Sequence, residues 1–123
     1  MNRWIARLTD RLRGDNHTAV EGDWRRIAGL TVAGTSGKNE IDLDPNNAFR
    51  LLKLRSHSVD VDVYRWILEF EDGSTQNLSV DCLLDGTESR PMMIAGRRLK
   101  GMLVEYDASL AARRGKLEVW AHN

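Results

Sequence analysis

The chain has 123 residues, of which 41% are hydrophobic and 29% charged, and its 18 basic and 18 acidic residues give a formal net charge of zero. This size and composition predict one globular domain and exclude an intrinsically disordered chain. The balanced charge argues against a dedicated nucleic-acid-binding protein, and a single cysteine excludes an internal disulfide framework and a cysteine-rich zinc site.

The N-terminal residues 2–13 have the periodicity of an amphipathic helix. Trp4, Leu8 and Leu12 recur at every fourth position, and Ile5 widens this apolar stripe. A neighbouring basic stripe is formed by Arg3, Arg7 and Arg11. The predicted organisation is a helical segment over residues 1–14, a polar linker over 15–22 and a β-sandwich domain over 23–123.

Three uses of this helix remain open: packing on its own domain, binding a protein partner or a second copy, and lying on an anionic membrane surface. No stretch approaches the roughly 20 apolar residues of a transmembrane helix. Charges also interrupt the N-terminal apolar residues too often for a secretory signal. The cytoplasm is therefore the expected location.

From Trp24 onward, short apolar runs separated by turn signals predict an all-β, antiparallel, jelly-roll-like sandwich of seven or eight strands. The predicted strands are 24–33, 39–43, 48–55, 58–71, 75–82, 90–95, 98–107 and 115–121. The apolar set changes face after Val63, which predicts either a β-bulge or a passage of the strand from one sheet to the other. The sequence Asp72-Gly73 predicts a tight hairpin turn.

Basic residues crowd the C-terminal third of the sequence and suggest a binding patch for an anion or another ligand. They are Arg90, Arg97, Arg98, Lys100, Arg113, Arg114 and Lys116. The core candidates for this patch are Arg90, Arg97, Arg98 and Lys100, provided that adjacent hairpins bring them together. The alternative is a solvated face in which Glu88, Glu105 and Glu118 pair with these cations.

Other chemistry is weakly indicated. Asp60 and Asp62 share a strand face, which is more typical of a solvated surface than of a catalytic pair. The aromatic residues fill a core or, less commonly, form a sugar-binding platform. Cys82 lies in an apolar run and is expected to be buried. No catalytic residue, metal site or cofactor is predicted.

The region 49–121 resembles a family of small bacterial β-sandwich proteins of unknown function. The residues that carry the resemblance are Phe70-Glu71-Asp72-Gly73, Ser89-Arg90-Pro91-Met92-Met93-Ile94, Gly96-Arg97-Arg98-Leu99, Val104-Glu105-Tyr106 and Gly115-Lys116-Leu117-Glu118-Val119-Trp120. The resemblance implies a fold and no activity. Members usually carry a secretory signal, whereas this sequence begins with an arginine-rich helix.

The leading functional hypothesis is a non-enzymatic binding or interaction module of unknown ligand. The alternative is a membrane-peripheral or assembly protein that uses the N-terminal helix, through a protein partner, a second copy or peripheral membrane contact. A small hydrolase-like enzyme comes third, and it requires a concave pocket with at least two converging titratable groups.

Overall fold

The computed structural model describes residues 20–33, 35–45, 48–94, 97–108 and 114–123. Its strands are β1 (Val20–Glu21), β2 (Trp24–Val32), β3 (Ser36–Asp42), β4 (Leu51–His57), β5 (Val61–Phe70), β6 (Thr75–Leu78), β7 (Met92–Met93), β8 (Leu99–Ala108) and β9 (Gly115–His122). The predicted helix, with its apolar stripe (Trp4, Ile5, Leu8 and Leu12) and its basic stripe (Arg3, Arg7 and Arg11), lies outside these residues.

The strands form two antiparallel sheets. The five-stranded sheet has the order β1-β2-β9-β4-β7 and the four-stranded sheet the order β3-β8-β5-β6. The all-β, antiparallel class is therefore confirmed, and β2 to β9 correspond to the eight predicted strands. β1 is an addition within the stretch interpreted as a linker, where Val20 and Glu21 pair with β2.

No helix within the described ranges is long and apolar enough to cross a membrane.

One hydrophobic cluster includes side chains from both sheets. It forms because alternate residues of each strand point to the same side: Leu117, Val119 and Ala121 of β9 are buried in it, and so are Trp66 and Phe70 of β5. The remaining residues of these strands consequently point away from the core. These two outer faces carry most of the charged side chains of the described strands.

Register shifts between neighbouring strands, two of which concern the residues discussed below, decide which side chains reach the outer faces. Of the two alternatives predicted for β5, the bulge is confirmed, because the strand stays in one sheet and its register with β8 shifts between Val63 and Arg65. A second bulge interrupts the pairing of β2 with β9 between Arg26 and Ala28. As a result Arg26 pairs opposite Trp120, whereas Ala28, two residues later, is buried in the core.

The turn from β5 to β6 matches its prediction, and Cys82 does not. Gly73 has a positive φ of 89°, and Asp72 Oδ1 accepts a hydrogen bond from the Ser74 amide at 2.9 Å. Cys82 is exposed, so the expectation that it is buried was wrong. The extended chain turns the neighbouring Leu83 into the core and bonds it to Val61, which leaves Cys82 facing outward.

Candidate functional site

The outer face of the five-stranded sheet carries a cluster of charged and aromatic side chains centred on β9. Because Leu117, Val119 and Ala121 face the core, Glu118 and Trp120 lie on the opposite side of the strand. Nevertheless Glu118 is only 6% exposed and Trp120 only 3%. Neighbouring side chains of this face therefore have to satisfy a carboxylate that is almost shielded from water.

Three donors from three strands converge on Glu118. Arg26 Nη1 lies 2.9 Å from Oε2, and His57 Nε2 and Trp120 Nε1 each lie 3.0 Å from Oε1. Burial raises the pKa of Glu118, but the hydrogen bonds from Arg26, His57 and Trp120 outweigh it and hold the pKa below the ordinary value. Glu118 is consequently an ionised carboxylate that holds Arg26, His57 and Trp120 together on this face.

Cations lie over both tryptophan rings of this face. The Arg55 guanidinium lies 4.5 Å from the Trp120 ring centroid, and Lys53 Nζ lies 4.3 Å from that of Trp24. Both cations also bind Glu88, Lys53 at 2.9 Å. Burial opposes ionisation of Glu88, but these bonds prevail and lower its pKa. The two rings thus belong to a cross-linked polar layer and do not form a bare platform for a sugar.

A cleft of about 290 Å³ lies at the end of this face where β4 stops and β9 starts. It is lined by Thr31, His57, Ser58, Arg114, Gly115 and Lys116. A Cβ on Gly115 would lie 2.6 Å from the His57 carbonyl oxygen, so glycine permits the close approach of the chain here. Ser58 has a positive φ of 68°, and Asp85 Oδ1 accepts its amide hydrogen bond.

Arg114 and Lys116 differ from the cations nearer the centre of the face. Both are exposed, and neither makes an ion pair or side-chain hydrogen bond within the described part of the chain. By contrast, Arg26 is committed to Glu118, and Lys53 to Glu88. Two uncommitted cations, an imidazole and two hydroxyl groups therefore line one cleft, a composition that suits an anion.

The candidate patch of Arg90, Arg97, Arg98 and Lys100 is distributed over two places. Arg97 lies over the buried Phe70 ring at 3.7 Å and donates to Gln76 Oε1 at 2.7 Å. Arg98 Nη1 lies 3.5 Å from the Pro45 carbonyl oxygen, and Lys100 Nζ lies 4.0 Å from Glu69.

Arg90 lies apart from the other three, in a groove of about 360 Å³ formed mainly by residues 79–92. Asp81, Cys82 and Glu88 also line this groove, but Glu88 is already engaged by Lys53 and Arg55. The segment that forms the groove is hydrogen-bonded to β4, since Ser56 Oγ donates to the Leu84 carbonyl oxygen at 2.7 Å. Arg90 therefore shares its groove with the carboxylate of Asp81, a charge that opposes the binding of an anion there.

The two aspartates Asp60 and Asp62 do not act together. Asp60 Oδ1 accepts a hydrogen bond from the Asp85 amide at 2.8 Å, which fixes the loop. Asp62 is exposed and pairs across the sheet with Asp107. The interpretation of these residues as surface groups agrees with this placement.

The outer face of the four-stranded sheet, here called the acidic face, has a different composition. Its acidic residues are Glu40, Asp42, Asp62, Glu69, Glu105 and Asp107, and its basic residues are Lys38, Arg65 and, beside Glu69, Lys100. Arg65 and Glu105 form a close ion pair on this face, at 2.9 Å, and Lys100 Nζ lies 4.0 Å from Glu69. A groove of about 270 Å³ crosses this face, because Gly101 contributes no side chain between Asp42 and Glu69.

Comparison with known proteins supports the fold only. No family model matches the chain, and no curated protein matches it in sequence. AlgX from Pseudomonas aeruginosa matches with a TM-score of 0.51 and 9% identity over 80% of this chain and 26% of that protein, so the chain spans about a quarter of AlgX. The Yersinia pseudotuberculosis-derived mitogen gives a TM-score of 0.47 and 8% identity over 80% and 84%. A distant, β-rich fold is the extent of the similarity.

Proposed function

We propose that the two sheets form a jelly-roll β-sandwich that acts as a non-enzymatic binding module for an anionic ligand. The strand order supports the fold, because β2-β9-β4-β7 and β3-β8-β5-β6 is the order expected when two Greek keys close into eight strands. The function is argued from the site and not from the fold, since this architecture hosts many unrelated activities.

The observation that carries the proposal is the pair Arg114 and Lys116 in the cleft beside His57. Cations engaged in internal ion pairs contribute little to ligand binding, because a ligand has to replace a partner already present. The uncommitted pair has no such partner among the described residues. It therefore supplies the attraction for a phosphate, sulfate or carboxylate group.

The cleft residues divide the work of holding such a group. The Arg114 guanidinium offers a planar fork of donors suited to two anion oxygens, and Lys116 contributes a compact charge. Glu118 accepts a hydrogen bond from His57 Nε2 and thereby orients the imidazole. The neutral ring then has a lone pair at Nδ1, which can accept a hydrogen bond from a protonated oxygen of the ligand. The hydroxyl groups of Thr31 and Ser58 complete the donor set.

The proposal is tested by calorimetric titration of the full chain with inorganic phosphate and with sulfate. The double variant Arg114→Gln/Lys116→Gln is compared with Arg25→Gln/Lys38→Gln, which removes two exposed cations elsewhere. We expect millimolar binding by the wild type, a loss of about tenfold in the cleft variant, and affinity within about twofold of wild type in the control. Equal affinity in all three proteins refutes the site.

A further inference from the structure

The acidic face leaves one groove uncovered. Its floor is formed by Gly101 with the half-buried Ile67 and Leu103, and Glu40 and Glu69 stand on its two sides. The pairs Glu40–Leu103 and Ile67–Leu103 are direct cross-strand neighbours, so the apolar floor lies between the carboxylates. Such a groove fits a segment that has an apolar stripe beside a basic one.

We infer that this groove receives residues 2–13 of the same chain. Those residues have the required pattern: Trp4, Leu8 and Leu12 repeat every four positions, and an arginine precedes each of them. The apolar stripe would pack on Ile67 and Leu103, while the arginines would reach the carboxylates. The acidic face has six carboxylates against three basic side chains, Lys100 beside Glu69 included, and this excess supplies the complementary charge.

The spacing of the charges also agrees. Residues four apart on a helix are separated by about 6 Å along its axis. Residues two apart on a strand, such as Glu40 and Asp42 of β3, are separated by about 6.6 Å. Two successive arginines of the basic stripe thus match the spacing of Glu40 and Asp42 along β3 to within about a tenth.

The course of the chain brings the segment to the correct end of the molecule. Val20 pairs with Arg25 near the beginning of β2. Only three residues join the end of β2 to the start of β3, so Asp42, at the far end of β3, returns toward the beginning of β2. The seven residues from Arg13 to Val20 span at most about 25 Å, enough to pass the roughly 10 Å between packed sheets.

The opposite face is a poorer site for the same segment. Its exposed side chains include Arg114 and Lys116, and its central carboxylate, Glu118, already accepts three hydrogen bonds. A stripe of arginines placed there meets like charges and finds Glu118 occupied. Charge complementarity therefore selects the acidic face.

The test compares two charge reversals in the full chain by backbone NMR and amide hydrogen exchange. Arg7→Glu/Arg11→Glu reverses the basic stripe, and Arg13→Glu changes a charge outside it. We expect the first variant to shift the amide signals of Glu40–Asp42 and Gly101–Leu103 and to speed exchange in residues 4–12 by roughly five- to tenfold. Arg13→Glu leaves both nearly unchanged. Adding Glu40→Arg/Glu69→Arg to the first variant restores protection.

Four results overturn the inference. The first is an equal effect of the stripe variant and Arg13→Glu, and the second is a set of shifts centred on Trp24 and Lys53 of the opposite face. The third is a concentration-dependent effect, which means that the segment binds a second copy. The fourth is protection of residues 4–12 only in the presence of vesicles containing anionic lipid, which makes the segment a membrane-binding element.

Discussion

The outer faces of the two sheets are built from the same alternating strand pattern, but they treat charge in opposite ways. On the five-stranded sheet, Glu118 accepts hydrogen bonds from three side chains and is 6% exposed. On the four-stranded sheet, Asp62 pairs across from Asp107, a second carboxylate, and both are exposed. On the five-stranded sheet, oppositely charged side chains of adjacent strands form a hydrogen-bonded network. On the four-stranded sheet, the like-charged pair of Asp62 and Asp107 is exposed to solvent.

This difference shows why a count of charges is a poor guide to a binding site. Arg26, Lys53 and Arg55 have the correct sign for an anion but are engaged within the network. At its margin, Arg114 and Lys116 make no ion pair or side-chain hydrogen bond within the described residues, and they line one cleft together. We therefore expect an anion to bind to cations that have no partner in the described part of the protein. On this face such cations lie at the edge of the network and not at its centre.

The largest expected effect compares one apolar side chain from each face. Trp120→Ala removes a buried ring, its hydrogen bond to Glu118 and the surface under Arg55, and we expect a loss of about 3–4 kcal/mol in the free energy of unfolding. Leu103→Ala removes a half-buried side chain from the acidic face and is expected to cost about 1–2 kcal/mol. Urea denaturation of both variants measures the difference. Equal losses contradict the contrast between the faces.

The next effect depends on pH. Because the pKa of Glu118 is lowered on folding, its ionised form stabilises the protein above the ordinary pKa, and this contribution disappears as the pH falls through the folded-state pKa. Glu118→Gln should cost about 2–3 kcal/mol at pH 7 and progressively less below the ordinary value of 4.5.

The matched control for Glu118→Gln is Glu105→Gln, whose partner Arg65 is 57% exposed. It should cost less than about 1 kcal/mol at pH 7. Denaturation midpoints between pH 3 and pH 7 separate the two variants. If Glu118→Gln lowers the free energy of unfolding by the same amount at every pH, ionised Glu118 does not stabilise the protein in the way described here.

The smallest expected effect is an increase in the free energy of unfolding. Asp62 and Asp107 are directly opposite each other on neighbouring strands, and like charges in this position destabilise a sheet. Asp62→Asn should therefore stabilise the protein by about 0.3–0.5 kcal/mol at pH 7 and low salt, with the gain lost in 1 M NaCl because the repulsion is then screened. Destabilisation at low salt shows that Asp62 has a favourable contact.

Much of the fold could be predicted from the sequence, because strand alternation and turn residues are local signals. The change of face after Val63 indicated the β5 bulge, and Asp72-Gly73 indicated the hairpin. The site was harder to predict. Alternation along β9 is sufficient to place Glu118 and Trp120 on the face of the sheet that points away from Leu117 and the core. It does not identify the side chains that Glu118 and Trp120 contact.

Those partners depend on long-range register. The bulge in β2 has no clear signal in the sequence, and regular alternation would place Arg26 on the same face as Ala28. His57 meets Glu118 only because β4 and β9 pair, although 61 positions separate the two residues. The basic residues of the C-terminal third include Arg114 and Lys116, but their positions in the sequence do not show that these two side chains line a cleft with His57.

The most direct measurement is a map of amide shifts in the full chain during titration with inorganic phosphate. An anion site in the cleft predicts saturable shifts confined to Thr31, His57–Ser58 and Arg114–Lys116, and their disappearance in Arg114→Gln/Lys116→Gln. Shifts that are spread over all exposed cations, or centred on Arg90 and Arg97, would contradict a built site at the margin of the network.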